Sequence, residues 1–138
     1  MKFIPVTKDT PVLRTDFSND ALWDALCTTI QEPVGEFRAY VTFISDPVFA
    51  SIMVEQVLSL IPQNLNHSVI FVVDQFTLSL QDYPILVVDL DMEPGRTFRV
   101  IPSEIWGVEN NLSIANMDFA DFADSTDQNG IFRGFPDH

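Results

Sequence analysis

Four aspartates stand where apolar stretches end: Asp16 after PVLRT, Asp46 after VTFIS, Asp74 after SVIFVV, and Asp89, with Asp91 close behind, in ILVVDLD. Carboxylates gathered at strand ends are the oxygen ligands of a hard divalent cation, Mg²⁺ at about 2.1 Å in octahedral order. Asp16, Asp46, Asp74 and Asp89 therefore form a candidate metal set, provided the strands carrying them run the same way. A hairpin strand running backwards removes Asp89 and Asp91 from it. Aspartate is also a usual residue where a strand meets a turn or a cap, and Asp46 before Pro47 fits an N-cap followed by a proline at the first helical position.

Other chemistry is thinly supplied. His67 precedes an apolar run and His138 ends the sequence, neither with a Cys, His or Glu neighbour at ligand spacing. No G-x-S-x-G, Walker loop or G-x-G-x-x-G occurs. The single cysteine, Cys27, falls in the apolar periodicity of a helix and reads as a small buried hydrophobe. STDQNGIF sets Asp127, Asn129 and Gly130 at the third, fifth and sixth places of a calcium loop, but Ser125 takes the first and Pro136 the twelfth, so the composition reads as a turn. No cofactor is expected, and the chain leans away from catalysis.

Two constellations suit binding better. In MDFADFAD, Asp118, Asp121 and Asp124 alternate with Phe119 and Phe122 at a spacing of three, so acids and rings wind as two slanting stripes. The stripes read as an amphipathic helix with its rings in the core, or as a docking surface for a basic partner with phenylalanines at its rim. Upstream, EIWGVENN carries Glu104, Trp106, Glu109, Asn110 and Asn111. Asparagine favours caps over helix interiors, so the pair is expected to break the segment into a short helix near 104–108 and another farther on, aiming its amides and Glu109 at a ligand or at the protein's own backbone. A cleft at the strand ends would combine Arg14, Asp16, Arg99, Glu104 and Asn110.

The elements that must position these groups follow from periodicity. A short strand over Val12–Asp16 leads to a helix capped by Ser18, with Leu22, Trp23, Leu26, Cys27 and Ile30 on its buried face. FRAYVTFISD is a second strand, Val54, Val57, Leu58 and Ile61 mark a second helix, and SVIFVVD has the continuous apolar pattern of a strand buried on both faces. Strand-helix-strand-helix-strand argues for parallel pairing. YPILVVDLDMEPGRTFRVIPS then makes an antiparallel hairpin around Glu-Pro-Gly-Arg, a type II turn with Gly95 at positive φ. QFTLSLQDY is too short for an ordinary crossover, Ser103 can cap a last helical region, and the aromatics of the tail can pack back. The expectation is one α/β domain over residues 1–138, with a mixed sheet of about five strands, helices packed on it and a C-terminal helix.

Charge narrows the partner. Twenty Asp and Glu against seven Lys and Arg give a formal net charge of -13. Such a field repels phosphate, which disfavours nucleic acid and anionic membrane. No run approaches the roughly eighteen apolar residues of a membrane span, and MKFIPVTKDTP has no signal-like core, so a cytoplasmic protein is expected and the sequons at Asn66 and Asn111 carry no glycan.

GRTFRVIPSEIWGVENNLSIANMDFADFA, with LRTDFSNDALWDAL and the closing GIFRGF, resembles a family of small acidic bacterial and fungal proteins, a domain of unknown function. The resemblance covers nearly the whole chain and implies a single-domain protein with no assigned activity, cofactor or catalytic residue. Its polar or unusual motif positions here are Arg96, Arg99, Glu104, Trp106, Glu109, Asn110, Asn111, Asn116, Asp118 and Arg133, with Asp16. The function expected is a non-catalytic module that binds a basic protein, such as an immunity-type inhibitor. The alternatives are a ligand- or metal-binding protein or enzyme with a strand-end cleft, and a homo-oligomeric structural protein.

Overall fold

The computed structural model describes residues 2–136, leaving His138 outside them. Six strands form one mixed sheet in the order β2-β1-β3-β4-β5-β6: β1 Thr10–Arg14, β2 Val41–Ile44, β3 Val69–Val73, β4 Ile85–Asp89, β5 Thr97–Val100 and β6 Ile131–Phe132. β1 pairs in parallel with β2 and β3, β4 lies antiparallel between β3 and β5, and β6 runs parallel to β5. All five residues of β1 and all five of β3 are buried, as a continuous apolar run demands when both faces are covered.

Strand alternation divides the interior into two cores. Val12, Phe71, Val73, Val87 and Phe98 face α1 (Asp20–Gln31), α4 (Ile105–Ser113) and α5 (Phe119–Ala123), which contribute Trp23, Leu26, Ile105, Val108, Phe119 and Phe122. Leu13, Ile70, Val72 and Val88 face the other way, toward Phe49 of a 3-10 turn at Pro47–Phe49 and Val57 of α2 (Val54–Ser59). The remaining helix, α3 (Gln75–Ser79), is a short turn between β3 and β4. It cannot span a parallel crossover, so β4 returns antiparallel and the sheet is mixed.

Several boundaries depart from the sequence expectation. The first strand lies two residues earlier, and α1 is capped by Asn19, whose side chain takes the Leu22 N–H, while the Ser18 N–H goes to Asp16. The segment after Asp46 splits into the 3-10 turn and α2 because Ser51 sits at φ 62° with its N–H held by the Thr15 carbonyl. Asn110 and Asn111 do not break α4, which runs unbroken from Ile105 to Ser113. Both side-chain amides donate to carbonyls, that of Asn111 to Gly107 one turn back, and the break falls later, at Ala115 with φ 55°. The tail supplies a sixth strand. The hairpin turn is as expected, with Arg96 N–H on the Glu93 carbonyl at 2.9 Å and Gly95 at φ 95°. Among the described residues no helix is long and apolar enough to cross a membrane.

Candidate functional site

β1 and β3 are neighbours whose exits diverge. β1 leads through α1 to β2 on one side, and β3 leads through α3 to β4 on the other. Such a divergence leaves a crevice beyond the carboxyl ends of the strands, the usual ligand position in α/β sheets. An open cavity of about 1190 Å³ lies there. Its floor and walls are Val57, Val72, Leu86, Leu22 and Leu78, its rim includes the exposed Met53 and Phe76, and its polar lining comes from Asp16, Ser18, Asn19, Ser51, Gln75, Asp74 and Arg99.

The strongest contact in the wall joins Arg99 of β5 to Asp74 at the end of β3. Both guanidinium nitrogens reach the carboxylate, Nη1 to Oδ1 at 2.9 Å and Nη2 to Oδ2 at 2.7 Å. Nη1 also donates to the Pro84 carbonyl at 3.1 Å, and the guanidinium lies 4.4 Å from the centre of the Phe76 ring. Asp74 caps α3 as well, accepting the Thr77 N–H at 2.9 Å. Burial pushes the Asp74 carboxyl up, but the bidentate Arg99 and the Thr77 N–H outweigh it, and the net shift is downward.

Asp16 is different. One carboxylate oxygen accepts the Ser18 N–H at 2.8 Å, and among the described residues no cation stands within ion-pair distance. Its neighbour Arg14 points to the opposite face, buried between the rings of Phe17 and Trp23. That guanidinium donates to the Asp16 carbonyl at 3.0 Å and the Asp20 carboxylate at 2.7 Å, tying the start of α1 to the strand.

The cleft set expected from sequence is thus divided: Asp16 and Arg99 line the cavity, while Arg14, Glu104 and Asn110 do not. Glu104 lies against Gly134, where an added Cβ would collide with its Oε1, and burial raises its carboxyl above the ordinary value. Glu109, buried in α4, accepts the Tyr40 N–H at 2.7 Å, the Asn110 amide at 2.9 Å and the Ser113 hydroxyl. Asn110 also reaches the Arg38 carbonyl at 2.9 Å, and the Asn111 Oδ1 accepts from Asn116 at 2.8 Å. Glu109 and Asn110 thereby fasten the loop entering β2, at the end of the sheet away from the cleft. Trp106 stacks on the exposed Phe37 with ring centres 4.7 Å apart.

The four metal-set aspartates are not brought together. Asp89 pairs with Val69 at the start of β3, across the sheet from the others, because β4 runs backwards, and its carboxylate accepts the N–H groups of Asp91 and Glu93. Asp46 holds Lys2 at 2.8 Å and caps the 3-10 turn, and Asp74 is spent on Arg99. Among the described residues no three His, Cys, Asp or Glu side chains are grouped to hold a metal. Asp127 likewise gives its oxygens to Asn129, Ile131 and Arg133 within its own turn. In α5 the stripes separate by burial. Phe119 and Phe122 are in the core, while Asp118, Asp121 and Asp124 are exposed, so phenylalanines neither rim a docking surface nor face a second copy. Asp124 is tied to Arg96 at 2.8 Å.

Sequence reading missed Ser51, Met53, Gln75 and Phe76 as lining residues. Asp74 and Thr77 at N-cap and N3 spacing carried the available signal for α3, which would have placed Gln75 and Phe76 at the cleft. The cavity-forming bend at Ser51 has no such signal.

A comparison of the chain with curated proteins finds no match. The family model described as a domain of unknown function (DUF6924) matches residues 9–135, a span that holds every strand and helix given above and both sides of the cleft. The chain belongs to that family.

Proposed function

We propose that the protein is a non-catalytic binding module that covers a basic protein partner, in the manner of an immunity-type inhibitor. The supporting observation is how its few cations are spent. Among the described residues, five of the seven Lys and Arg (Lys2, Arg14, Arg96, Arg99 and Arg133) are ion-paired with the protein's own carboxylates. Asp24, Glu32, Glu36, Glu55, Asp91, Asp118 and Asp121 are exposed with no such pairing among the described residues. The outward field is therefore acidic, which accelerates encounter with a basic surface and rejects acidic ones.

Affinity capture from native lysate, with bound proteins identified and ranked by isoelectric point, tests this reading. Basic proteins released at high ionic strength are expected, because about 1 M salt shortens the screening length to roughly 3 Å. Capture of nothing, or of proteins without basic bias, counts against it.

The strand-end cavity favours a second reading, a small-ligand binder. A thermal-shift screen with metabolites and divalent ions addresses it, since a ligand at a hundred times its Kd stabilises by about 2.7 kcal/mol.

A further inference from the structure

The geometry points to the crevice between β1 and β3 as a socket for a cationic side chain, lysine or arginine, projecting from an apolar segment of a basic partner protein. This inference rests on the binding-module reading and adds the place and chemistry of recognition.

Charge bookkeeping in the lining selects the cation. Asp74 and Arg99 neutralise each other through two contacts of 2.9 and 2.7 Å, leaving Asp16 as the only unbalanced charge in the cavity wall among the described residues. Asp16 is half-buried, with one oxygen on the Ser18 N–H and no cation at ion-pair distance among the described residues. The start of α1 also faces this space, and a helix N-terminus alone would favour an anion. Here the Asn19 side chain already caps the Leu22 N–H at 3.0 Å, and an anion would stand against the Asp16 carboxylate. The field therefore favours positive charge.

Shape selects the rest of the occupant. A lysine or arginine stem is aliphatic, and it lies on apolar surface while its head seeks an acceptor. Val72 and Leu86 provide such a floor, and the exposed Met53 and Phe76 continue it to the rim. The cavity is open to solvent and about 1190 Å³, so it leaves room for a side chain to enter with its neighbours.

The test needs no identified partner. Butylguanidinium and butylammonium, with butanol and butyrate as neutral and anionic counterparts, are titrated into the ¹⁵N-labelled chain while amide shifts are followed. Both cations are expected to move the Ser18, Ser51 and Gln75 amides in preference to butanol, with butyrate weakest. Asp16→Asn retains an acceptor for the Ser18 N–H and is expected to weaken cation binding about fivefold, with butanol unchanged. Gln75→Lys, an exposed change that adds a competing cation at the rim, is expected to act in the same direction and serves if Asp16→Asn misfolds. Silence of these amides toward the cations, an equal response to butyrate, or full cation binding by the folded variants overturns the proposal. Capture of a basic partner alongside a silent cleft would remove this inference and keep the broader reading. A cation-selective cleft without any basic partner would keep the socket and remove the partner.

Discussion

Replacing Asp74 with asparagine removes one charge from the cleft wall and little else. Asparagine is as good an N-cap as aspartate, so the Thr77 N–H, 2.9 Å from Oδ1, keeps an acceptor. What is lost is the paired contact with Arg99. The two side chains are 25 % and 17 % exposed, between a surface pair worth about 0–1 kcal/mol and a fully buried one whose breakage costs about 3–5 kcal/mol. Arg99 also retains the Pro84 carbonyl at 3.1 Å and the Phe76 ring at 4.4 Å, which limits the damage. A loss of about 2 kcal/mol follows from interpolating these limits. With a urea slope of about 1.5 kcal/mol/M, the unfolding midpoint should fall by roughly 1.3 M.

A double-mutant cycle with Arg99→Met separates the pair from each residue's other contacts, and a coupling of about 1–2 kcal/mol is expected. Coupling below about 0.3 kcal/mol, the scatter of independent sites, would refute the claim that this contact holds β5 to the end of β3. Acid supplies an internal control. Arg99 and the Thr77 N–H hold the folded-state carboxyl below the ordinary range despite burial. The contribution is therefore complete above the unfolded value near about 3.9 and disappears as pH falls through the lower folded value. The stability difference between wild type and Asp74→Asn should begin to shrink as pH falls below about 4 and should close only below the folded-state value.

Three further outcomes test other parts of the structure. Glu109→Ala should cost about 2–3 kcal/mol in denaturant unfolding and expose the Tyr40 amide to hydrogen exchange, whereas Glu109→Gln, which keeps an acceptor for that N–H, should cost about 1 kcal/mol and preserve protection. Cys27, its thiol pushed up to about 11 by burial and then by Asp24, should react with a thiol reagent far more slowly at neutral pH in the folded chain than in urea. Glu104→Gln should be slightly more stable than wild type at neutral pH. Burial raises that carboxyl in the folded state, so its ionisation opposes folding, and the gain should vanish once pH falls below the unfolded value of about 4.3.

The legible part of this fold was the part written in repeating apolar patterns. Val69–Val73 announced a strand covered on both faces, and Trp23, Leu26 and Ile30 marked the buried side of α1. The Glu93–Arg96 turn was readable because proline and glycine each fix a dihedral. What escaped was set by contacts distant in sequence. Asparagine propensity predicted a break at Asn110–Asn111, but the Arg38 carbonyl, 72 residues away, takes the Asn110 amide and favours a continuous helix. β6 is two residues long and exists because β5 presents a free edge beside the Asp127 turn. Of the expected cleft, Asp16 and Arg99 were found because strand ends are readable. Arg14 is held away from the cavity by the Phe17 and Trp23 rings and the Asp20 carboxylate, contacts that no local pattern announces, and Asn110 lies at the other end of the sheet.

The Asp74–Arg99 pair links stability to the cleft in a way that makes the two separable. Either single substitution breaks the contact, so both Asp74→Asn and Arg99→Met should lower the urea midpoint. Their effects on the lining charge are opposite. With Asp16 the unbalanced group among the described lining residues, loss of Asp74 adds an uncompensated guanidinium to the same wall, while loss of Arg99 leaves a second uncompensated carboxylate. At one temperature where all three proteins are folded, an alkylammonium probe should bind Arg99→Met more tightly than wild type and Asp74→Asn more weakly, in proportion to the added attraction or repulsion. Loosening of the wall alone would move both variants in the same direction. Opposed shifts in affinity from two substitutions that destabilise alike would mean that the cleft reads charge, and equal shifts would mean that it only loses shape.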